Sequence, residues 1–174
     1  MKAIFLDRDD TIIEDRIYLN DPNDIQYLPG TFEALSKLQE AGFKLLIVTN
    51  QSGVAKGLVQ LENLHEIHRR IDDEMKKNGI EVSAYYYAPF DNDKPHPMRK
   101  PEPGMLNQGI EEFALTRKGS WMIGDRMSDV EAGHRAGLST ILLGSKESPN
   151  ESEFAPPEGH FETLIQSVDF ILRN

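Results

Sequence analysis

The fold prediction starts from the stretch Ala3-Ile-Phe-Leu-Asp-Arg-Asp-Asp-Thr11. Four apolar residues are followed at once by three carboxylates and an arginine. A short, continuous apolar run is typical of a strand that is buried on both faces, as in a parallel sheet. We therefore predict that Ala3–Leu6 is a central strand and that its carboxyl end carries a cluster of polar side chains.

The same pattern recurs along the chain. Further strand-like apolar runs are Phe43–Val48, Val82–Tyr87, Trp121–Ile123 and Thr140–Leu143. Amphipathic, helix-like stretches lie between them at Thr31–Glu40, Leu61–Asn78, Met105–Leu115 and Asp129–Ala136. Alternating strands and helices predict a three-layer α/β domain of Rossmann-like type with a mostly parallel central sheet. Residues 144–160 are predicted to form a loop, and residues 161–174 either a helix and a strand or one helix.

Composition excludes several classes of protein. The 174 residues are 39% hydrophobic, contain no cysteine and carry a formal net charge of −10. Nucleic-acid-binding proteins usually present a basic face, and no apolar run reaches the ~18 residues of a membrane helix. Without cysteine, disulfides and thiolate zinc sites cannot form. We expect one domain over residues 1–174, a cytoplasmic monomer that acts on a small molecule without nucleic-acid or membrane partners.

Polar residues with a shared chemistry follow the predicted strands. Ligands bind at the carboxyl ends of the strands in an open α/β sheet. The residues at these ends are Asp7, Asp9, Thr49, Asp125 and Asp129, and Arg99 and Lys100 follow the third strand by a loop. Cleavage of a phosphate ester needs a nucleophile, an acid for the leaving alkoxide and cations for the phosphoryl oxygens. Mg²⁺ suits such a site because it prefers oxygen ligands, and Asp7 and Asp125 could supply two.

These residues resemble the four ordered motifs of the haloacid dehalogenase superfamily. The motifs are Asp7-x-Asp9-x-Thr11, Thr49, Lys100 and Gly124-Asp125-x-x-x-Asp129. Flanking stretches narrow the resemblance to two families, the D-glycero-D-manno-heptose 1,7-bisphosphate 7-phosphatases and the histidinol-phosphate phosphatase domains. Those stretches are Phe5-Leu-Asp-Arg-Asp9, Val48-Thr-Asn-Gln-Ser-Gly-Val-Ala-Lys-Gly57 and Arg99-Lys-Pro-Glu-Pro-Gly-Met105.

The resemblance implies a role for each matching residue. Asp7 is the nucleophile and a Mg²⁺ ligand, and Asp9 is the general acid and base whose backbone carbonyl also binds the metal. Thr49 and Lys100 hold the phosphoryl oxygens, and Asp125 completes the metal site. Asp129 orients Lys100 or a metal-bound water. The residues expected to bind substrate are Asp15, Arg16, Tyr18, Asn50, Gln51, Ser52, Arg99 and Arg126. For Arg16, a surface ion pair with Asp15 or Asp21 is the alternative.

The spacing between motifs predicts the absence of a cap domain. In total, 31 residues separate Thr11 from Phe43, and 46 separate Gly53 from Lys100. Each interval must also hold elements of the core, and independent domains begin at about 50 residues. We therefore predict a capless domain whose site is covered only by the loops Glu14–Pro29 and Ala88–Met98.

Two departures from the resembling families affect these expectations. Asp10 replaces the expected glycine, which tolerates more backbone conformations. A harmless substitution is the favoured interpretation, and a raised pKa of Asp9 beside an extra carboxylate is the alternative. Heptose bisphosphate phosphatases commonly carry a cysteine-rich zinc loop where this chain has residues 88–98, which contain no cysteine. We therefore expect the protein to bind Mg²⁺ and not to bind zinc. A replacement metal site at His96 is disfavoured. His65 and His68, one helical turn apart, are predicted to lie on a solvated helix face rather than to bind metal.

The predicted function is Mg²⁺-dependent hydrolysis of a small phosphorylated metabolite through an aspartyl-phosphate intermediate. The expected substrate is D-glycero-D-manno-heptose 1,7-bisphosphate, with removal of the 7-phosphate. Histidinol phosphate is the alternative within the resembling families. A macromolecular phosphate is a further alternative for an open site, and outside enzymes the chain could be a Mg²⁺-dependent binding module.

Overall fold

Six parallel strands form one central sheet in the computed structural model, which describes residues 1–174. The strands are β1 (Ala3–Leu6), β2 (Lys44–Asn50), β3 (Val82–Ala88), β4 (Trp121–Gly124), β5 (Ser139–Leu143) and β6 (Gly159–Phe161). Their order in the sheet is β3-β2-β1-β4-β5-β6, and every neighbouring pair is parallel. This doubly wound order reverses between β1 and β4, where such sheets bind ligands.

Helices cover both faces of the sheet and complete the predicted three-layer α/β architecture. They are α1 (Thr31–Glu40), α2 (Ser52–Ala55), α3 (Leu61–Lys77), α4 (Gly104–Glu112), α5 (Met127–Arg135) and α6 (Leu164–Arg173), with short 3-10 turns at Pro22–Asp24 and Pro149–Glu151. Buried residues of α1, α3 and α6 share one core cluster, and those of α4 and α5 share another. None of the helices has the length and the hydropathy that a membrane span requires.

The strands are apolar throughout because both of their faces are buried. In β1, Ile4 and Leu6 join the core beneath α1, α3 and α6, whereas Phe5 joins the core beneath α4 and α5. Trp121 at the start of β4 is 3% exposed and packs in the first of these cores. Full burial of each such side chain contributes about 1.5–3 kcal/mol to stability.

The carboxyl-terminal part of the chain differs from the predicted loop at its end, where a strand forms. Residues 164–173 form the single helix α6, one of the two predicted alternatives, and β6 precedes it. The sequence pattern does not predict β6, because this strand has three residues and its central His160 is exposed. A capping box fixes the start of α6, since the Thr163 side chain and the Gln166 side chain satisfy each other's backbone N–H groups.

Gly133 allows α5 to pack closely on β4 and β5. A Cβ atom at this position would lie 2.5 Å from Thr140 Cγ2 and 2.8 Å from Met122 Cβ. We expect Gly133→Ala to lower the free energy of unfolding by about 1–3 kcal/mol, the usual cost of overpacking a core. Urea unfolding measures the change. Gln108→Ala, on the exposed face of α4, should change it by less than about 0.5 kcal/mol. A gain of about 1 kcal/mol for Gly133→Ala, as helix propensity alone predicts, would contradict this packing.

Candidate active site

A polar cavity of about 540 Å³ opens where β1 and β4 end. Its volume is within the range of small-molecule sites. The lining residues that the sequence predicted are Asp7, Asp9, Asp15, Tyr18, Asn50, Gln51, Ser52, Arg99, Lys100, Asp125, Arg126 and Asp129. The fold thus brings side chains from distant parts of the chain to the predicted edge of the sheet.

The buried ammonium of Lys100 organises the cavity floor. Its Nζ donates to Asp7 Oδ1 at 2.7 Å and to the Val48 carbonyl at 2.8 Å, and lies 2.6 Å from Asp129 Oδ1. Burial by itself acts to lower the pKa of Lys100, but the carboxylates of Asp129 and Asp7 outweigh it and raise that pKa. Lys100 therefore remains a cation between two carboxylates, and it fixes one oxygen of Asp7.

Asn50 holds the backbone of Lys100 against the end of β2. The Asn50 Nδ2 donates to the Lys100 carbonyl at 3.0 Å, and the Lys100 N–H donates to Asn50 Oδ1 at 3.1 Å. This reciprocal pair anchors the loop after β3 to the sheet. Asn50 thus has a structural contact that accounts for its position at the site, in addition to its place in the cavity wall.

Gly124 and Asp129 explain the spacing of the last motif. Asp129 Oδ2 accepts from the Arg126 N–H at 3.1 Å and so caps the start of α5. A Cβ atom at position 124 would lie 2.2 Å from the same carboxylate oxygen, so glycine is required there. The other oxygen of Asp129 contacts Lys100 at 2.6 Å. This agrees with one of the two predicted roles of Asp129, the orientation of Lys100.

Three buried carboxylates form a group suited to a divalent cation. Asp7, Asp125 and Asp129 each place one oxygen within 4.8 Å of the other two. Burial raises the pKa of Asp125 to about 8, and the charges of Asp7 and Asp129 add to this rise. Lys100 is the one ammonium that contacts the group. The donor set therefore fits Mg²⁺, which takes oxygen ligands and would relieve the repulsion among the carboxylates.

Asp9 lies beside Asp7 in a network of charge-assisted hydrogen bonds. Arg8 donates to both of its oxygens at 3.0 Å, and Gln51 Nε2 donates to Asp9 Oδ2 at 3.0 Å. Burial raises the pKa of Asp9, Arg8 opposes this rise and the charge of Asp7 adds to it. Thr49 is buried and does not line the cavity, and its Oγ1 accepts from Gln51 Nε2 at 2.9 Å.

The structure separates the predicted substrate-binding arginines. Arg99 and Arg126 line the cavity, whereas Arg16 lies outside it and pairs with Glu14 at 3.1 Å. The predicted surface alternative for Arg16 is thus the observed one, with Glu14 in place of Asp15 or Asp21. Asn92 Oδ1 accepts from Arg99 at 2.6 Å and holds its guanidinium at the rim.

Tyr18 lies against α2 because Gly53 leaves room for its ring. A Cβ atom at position 53 would lie 2.7 Å from Tyr18 Cδ1. Lys56 Nζ donates to the Tyr18 hydroxyl at 3.0 Å. Tyr18 has a left-handed backbone with φ of 66°. The predicted loop Glu14–Pro29 therefore contributes to the cavity wall, as Asp15 and Tyr18 both line it.

Asp10 fits the backbone position where the glycine was expected. Its φ of 51° lies in the left-handed region that favours glycine, in agreement with the expected backbone. Its carboxylate pairs with Lys146 and accepts from the Asp15 N–H at 2.9 Å. Among the carboxylates, Asp7 and then Asp15 raise the pKa of Asp9 by their charge, while the Asp10 carboxylate is paired with Lys146.

Two residues near the site have roles that the sequence pattern does not predict. Arg8 is only a spacer between the two aspartates in the motif, yet it is fully buried with its guanidinium on Asp9. The prediction that His68 faces solvent is wrong, since it is 7% exposed with Nε2 3.3 Å from Arg8 Nη1. The apolar residues Leu64 and Ile71, four before and three after His68, could have indicated that His68 faces inward. His65 alone is exposed, as predicted.

Sequence comparisons agree with this geometry. A family model described as HAD-hydrolase-like matches residues 97–167. A D-glycero-beta-D-manno-heptose-1,7-bisphosphate 7-phosphatase of Photorhabdus laumondii is 34% identical over 158 residues, which cover 87% of this chain and 84% of that protein. A D-glycero-D-manno-heptose-1,7-bisphosphate 7-phosphatase of Chlorobaculum tepidum is 33% identical and covers 96% of this chain and 92% of its own length.

Solved structures agree as well. The crystal structure of D,D-heptose 1,7-bisphosphate phosphatase from B. bronchiseptica, complexed with magnesium and phosphate, has a TM-score of 0.90 and 27% identity to this chain. The match covers 99% of both chains. At 33–34% identity over most of both lengths, this chain belongs to the D-glycero-D-manno-heptose-1,7-bisphosphate 7-phosphatase family of haloacid dehalogenase-like phosphoric monoester hydrolases.

Proposed function

We propose that this enzyme removes the 7-phosphate of D-glycero-D-manno-heptose 1,7-bisphosphate through an aspartyl-phosphate intermediate on Asp7. The observation that carries the proposal is the position of Asp7. Lys100 holds its Oδ1 at 2.7 Å, and Asp9 and Asp125 flank it at the floor of a polar cavity. The relatives' names supply the sugar, and the polar lining suits a charged, hydroxylated substrate.

Asp7 and Asp9 divide the two half-reactions between them. In the first, the Asp7 carboxylate bonds to phosphorus, the bond from phosphorus to the ester oxygen breaks, and Asp9 gives its proton to the leaving alkoxide. In the second, water attacks phosphorus, Asp9 takes a proton from that water, and inorganic phosphate leaves Asp7. Burial raises the pKa of Asp9, which favours the protonated carboxyl that the first role needs.

The carboxylates of Asp7 and Asp125 and the backbone carbonyl of Asp9 are proposed to hold Mg²⁺. The ion supplies positive charge that screens the phosphoryl oxygens from these carboxylates. The second cation beside the phosphoryl group is Lys100, which is fixed by Asp129 at 2.6 Å. We propose that Thr49 supports the phosphoryl site through Gln51, because its hydroxyl accepts a hydrogen bond from that residue at 2.9 Å.

Arg126 is the proposed partner of the second, non-reacting phosphate. Its side chain is 53% exposed and reaches the cavity, and its nearest carboxylates are weak partners at 4.0 Å from Asp125 and 3.7 Å from Glu147. A guanidinium fork matches the geometry of a phosphate. Arg99 is less free to move, since Asn92 and the Phe90 carbonyl already accept from it.

Replacing the nucleophile tests the covalent mechanism. We expect Asp7→Asn to reduce phosphatase activity by at least about 10³-fold, because an amide cannot attack phosphorus. Steady-state hydrolysis in Mg²⁺ measures the loss, and far-UV circular dichroism checks the fold. Asp73→Asn removes a surface carboxylate of α3 and should retain activity. Turnover by Asp7→Asn within tenfold of the wild type would exclude Asp7 as the nucleophile.

Metal binding should depend on pH in a defined direction. The folded-state pKa of Asp125 is raised to about 8. Without metal, the protein's free energy of unfolding should therefore fall as pH rises through that value, because the folded state loses the proton that it binds more tightly than the unfolded state does. Mg²⁺ replaces the proton on the carboxylates and should raise the unfolding temperature more at about pH 9 than at about pH 6. Thermal unfolding with and without Mg²⁺ measures both shifts. In Asp125→Asn, the rise in unfolding temperature caused by Mg²⁺ should be nearly the same at the two pH values. An equal shift at both pH values would contradict the proposed site.

Substrate preference tests the role of Arg126. We expect the bisphosphate to exceed its 1-dephosphorylated counterpart, the heptose 7-phosphate, in kcat/KM by about 10-fold or more, equivalent to one charge-assisted contact of ~1.5–3 kcal/mol. Arg126→Ala should remove most of this preference and leave hydrolysis of an aryl phosphate nearly intact. Arg16→Ala is the comparison, because Glu14 pairs with Arg16 outside the cavity. Loss of the preference in Arg16→Ala, with Arg126→Ala unchanged, would reverse the assignment.

A further inference from the structure

Arg8 places a buried guanidinium directly on the general acid. Arg8 is 1% exposed, although arginine rarely lies fully inside a protein without a partner. Nε and Nη2 both donate to Asp9 Oδ1, at 3.1 and 3.0 Å, and Nη2 also donates to Asp9 Oδ2 at 3.0 Å. This contact fixes the plane of the Asp9 carboxyl relative to the guanidinium. The remaining nitrogen, Nη1, faces away from Asp9.

His68 of α3 is the partner of that remaining nitrogen. Its Nε2 lies 3.3 Å from Arg8 Nη1, and the histidine is 7% exposed. Burial lowers the pKa of His68 to about 3, and the charge of Arg8 adds to this effect. The ring is therefore neutral at neutral pH, so Nε2 accepts a hydrogen bond from the guanidinium.

Two tyrosines of β3 hold the histidine ring in place. The ring stacks on Tyr85 with centroids 5.3 Å apart, and it packs edge-to-face with Tyr87 with centroids 6.0 Å apart. On α3, His68 lies on the same buried face as Leu64 and Ile71, four residues before and three after it. The acceptor nitrogen thus has a fixed position relative to the sheet, and it restrains the guanidinium at the end opposite to Asp9.

We propose that His68 is a positioning residue, which acts through Arg8 to hold the Asp9 carboxyl group in the orientation that protonates the leaving alkoxide. The inference rests on the proposed phosphatase function. Gln51 restrains Asp9 from the other side, since its Nε2 donates to Oδ2 at 3.0 Å. Without His68, Nη1 has no acceptor, and the guanidinium and the carboxyl group that it holds can rotate together.

Leaving groups of different basicity separate positioning from a purely structural effect. An alkyl phosphate releases a strongly basic alkoxide that needs the proton of Asp9, whereas p-nitrophenyl phosphate releases a weakly basic phenolate that needs it little. kcat/KM reports the steps up to release of the leaving group, so slow hydrolysis of the intermediate does not mask the difference. Altered orientation of Asp9 should therefore lower kcat/KM selectively for the alkyl phosphate.

The experiment compares both substrates in Mg²⁺ for the wild type and three variants. We expect His68→Leu to lower kcat/KM by about 10-fold or more for the alkyl phosphate and by less than about 3-fold for p-nitrophenyl phosphate, within the range that general acids contribute. His68→Gln, which places an acceptor near the position of Nε2, should restore most of the loss. Glu62→Leu, at an exposed position in the first turn of α3, is the control and should resemble the wild type.

Equal losses for the two substrates in His68→Leu would overturn the proposal, and so would an unchanged kcat/KM for the alkyl phosphate. If His68→Leu does not fold, Arg8→Lys provides the test. This variant keeps a positive charge beside Asp9 but loses the guanidinium that contacts both Asp9 and His68. It should show the same selective loss, and a uniform loss would again contradict positioning. Failure of the wild type to hydrolyse either phosphate is a separate result that would refute the proposed function itself.

Discussion

The site depends on one buried ammonium between two carboxylates. Lys100 contacts Asp7 at 2.7 Å and Asp129 at 2.6 Å, and its third contact is the Val48 carbonyl at 2.8 Å. These contacts join the end of β1, the end of β2 and the start of α5 around one atom. Burial of a charge is costly unless it is paired, so the loop after β3 has to place Lys100 accurately. Asn50 provides this accuracy by its two hydrogen bonds to the Lys100 backbone.

Charge distribution explains how an acidic protein can bind an anionic substrate. The chain carries a net charge of −10, yet Arg99, Lys100 and Arg126 all face one cavity. Within it, the carboxylates of Asp7, Asp125 and Asp129 exceed the charge that Lys100 neutralises. A divalent cation would restore the balance, and the arginines at the rim would remain for the proposed substrate. Asp9 has a cation of its own, because it pairs with the guanidinium of Arg8.

Features that depend on local sequence patterns were predictable. The apolar strands, the α/β order and the strand-end aspartates are all visible in residues such as Ile4 and Asp7, because burial on both faces and the end of a strand leave local signals. The strand β6 was not predicted because Gly159–Phe161 is too short to show any period. The positions of His68 and Arg16 were mispredicted for a different reason. The burial of His68 depends on Arg8, a partner that is distant in sequence. Arg16 has several carboxylates nearby in sequence, and the pattern does not show that Glu14 is its partner.

The most direct test of the central claim is chemical identification of the residue that receives the phosphoryl group. Asp9→Asn lacks the base for the second half-reaction but can still react with p-nitrophenyl phosphate, whose leaving group needs little protonation. The variant is mixed with this substrate in Mg²⁺, quenched in acid and digested, and its peptides are identified by mass spectrometry. We expect one added phosphoryl group on the peptide that contains Asp7, and none when Asp7 is also replaced by Asn. Phosphorylation of another residue, or turnover by the variant without any phosphorylated peptide, would contradict covalent catalysis by Asp7.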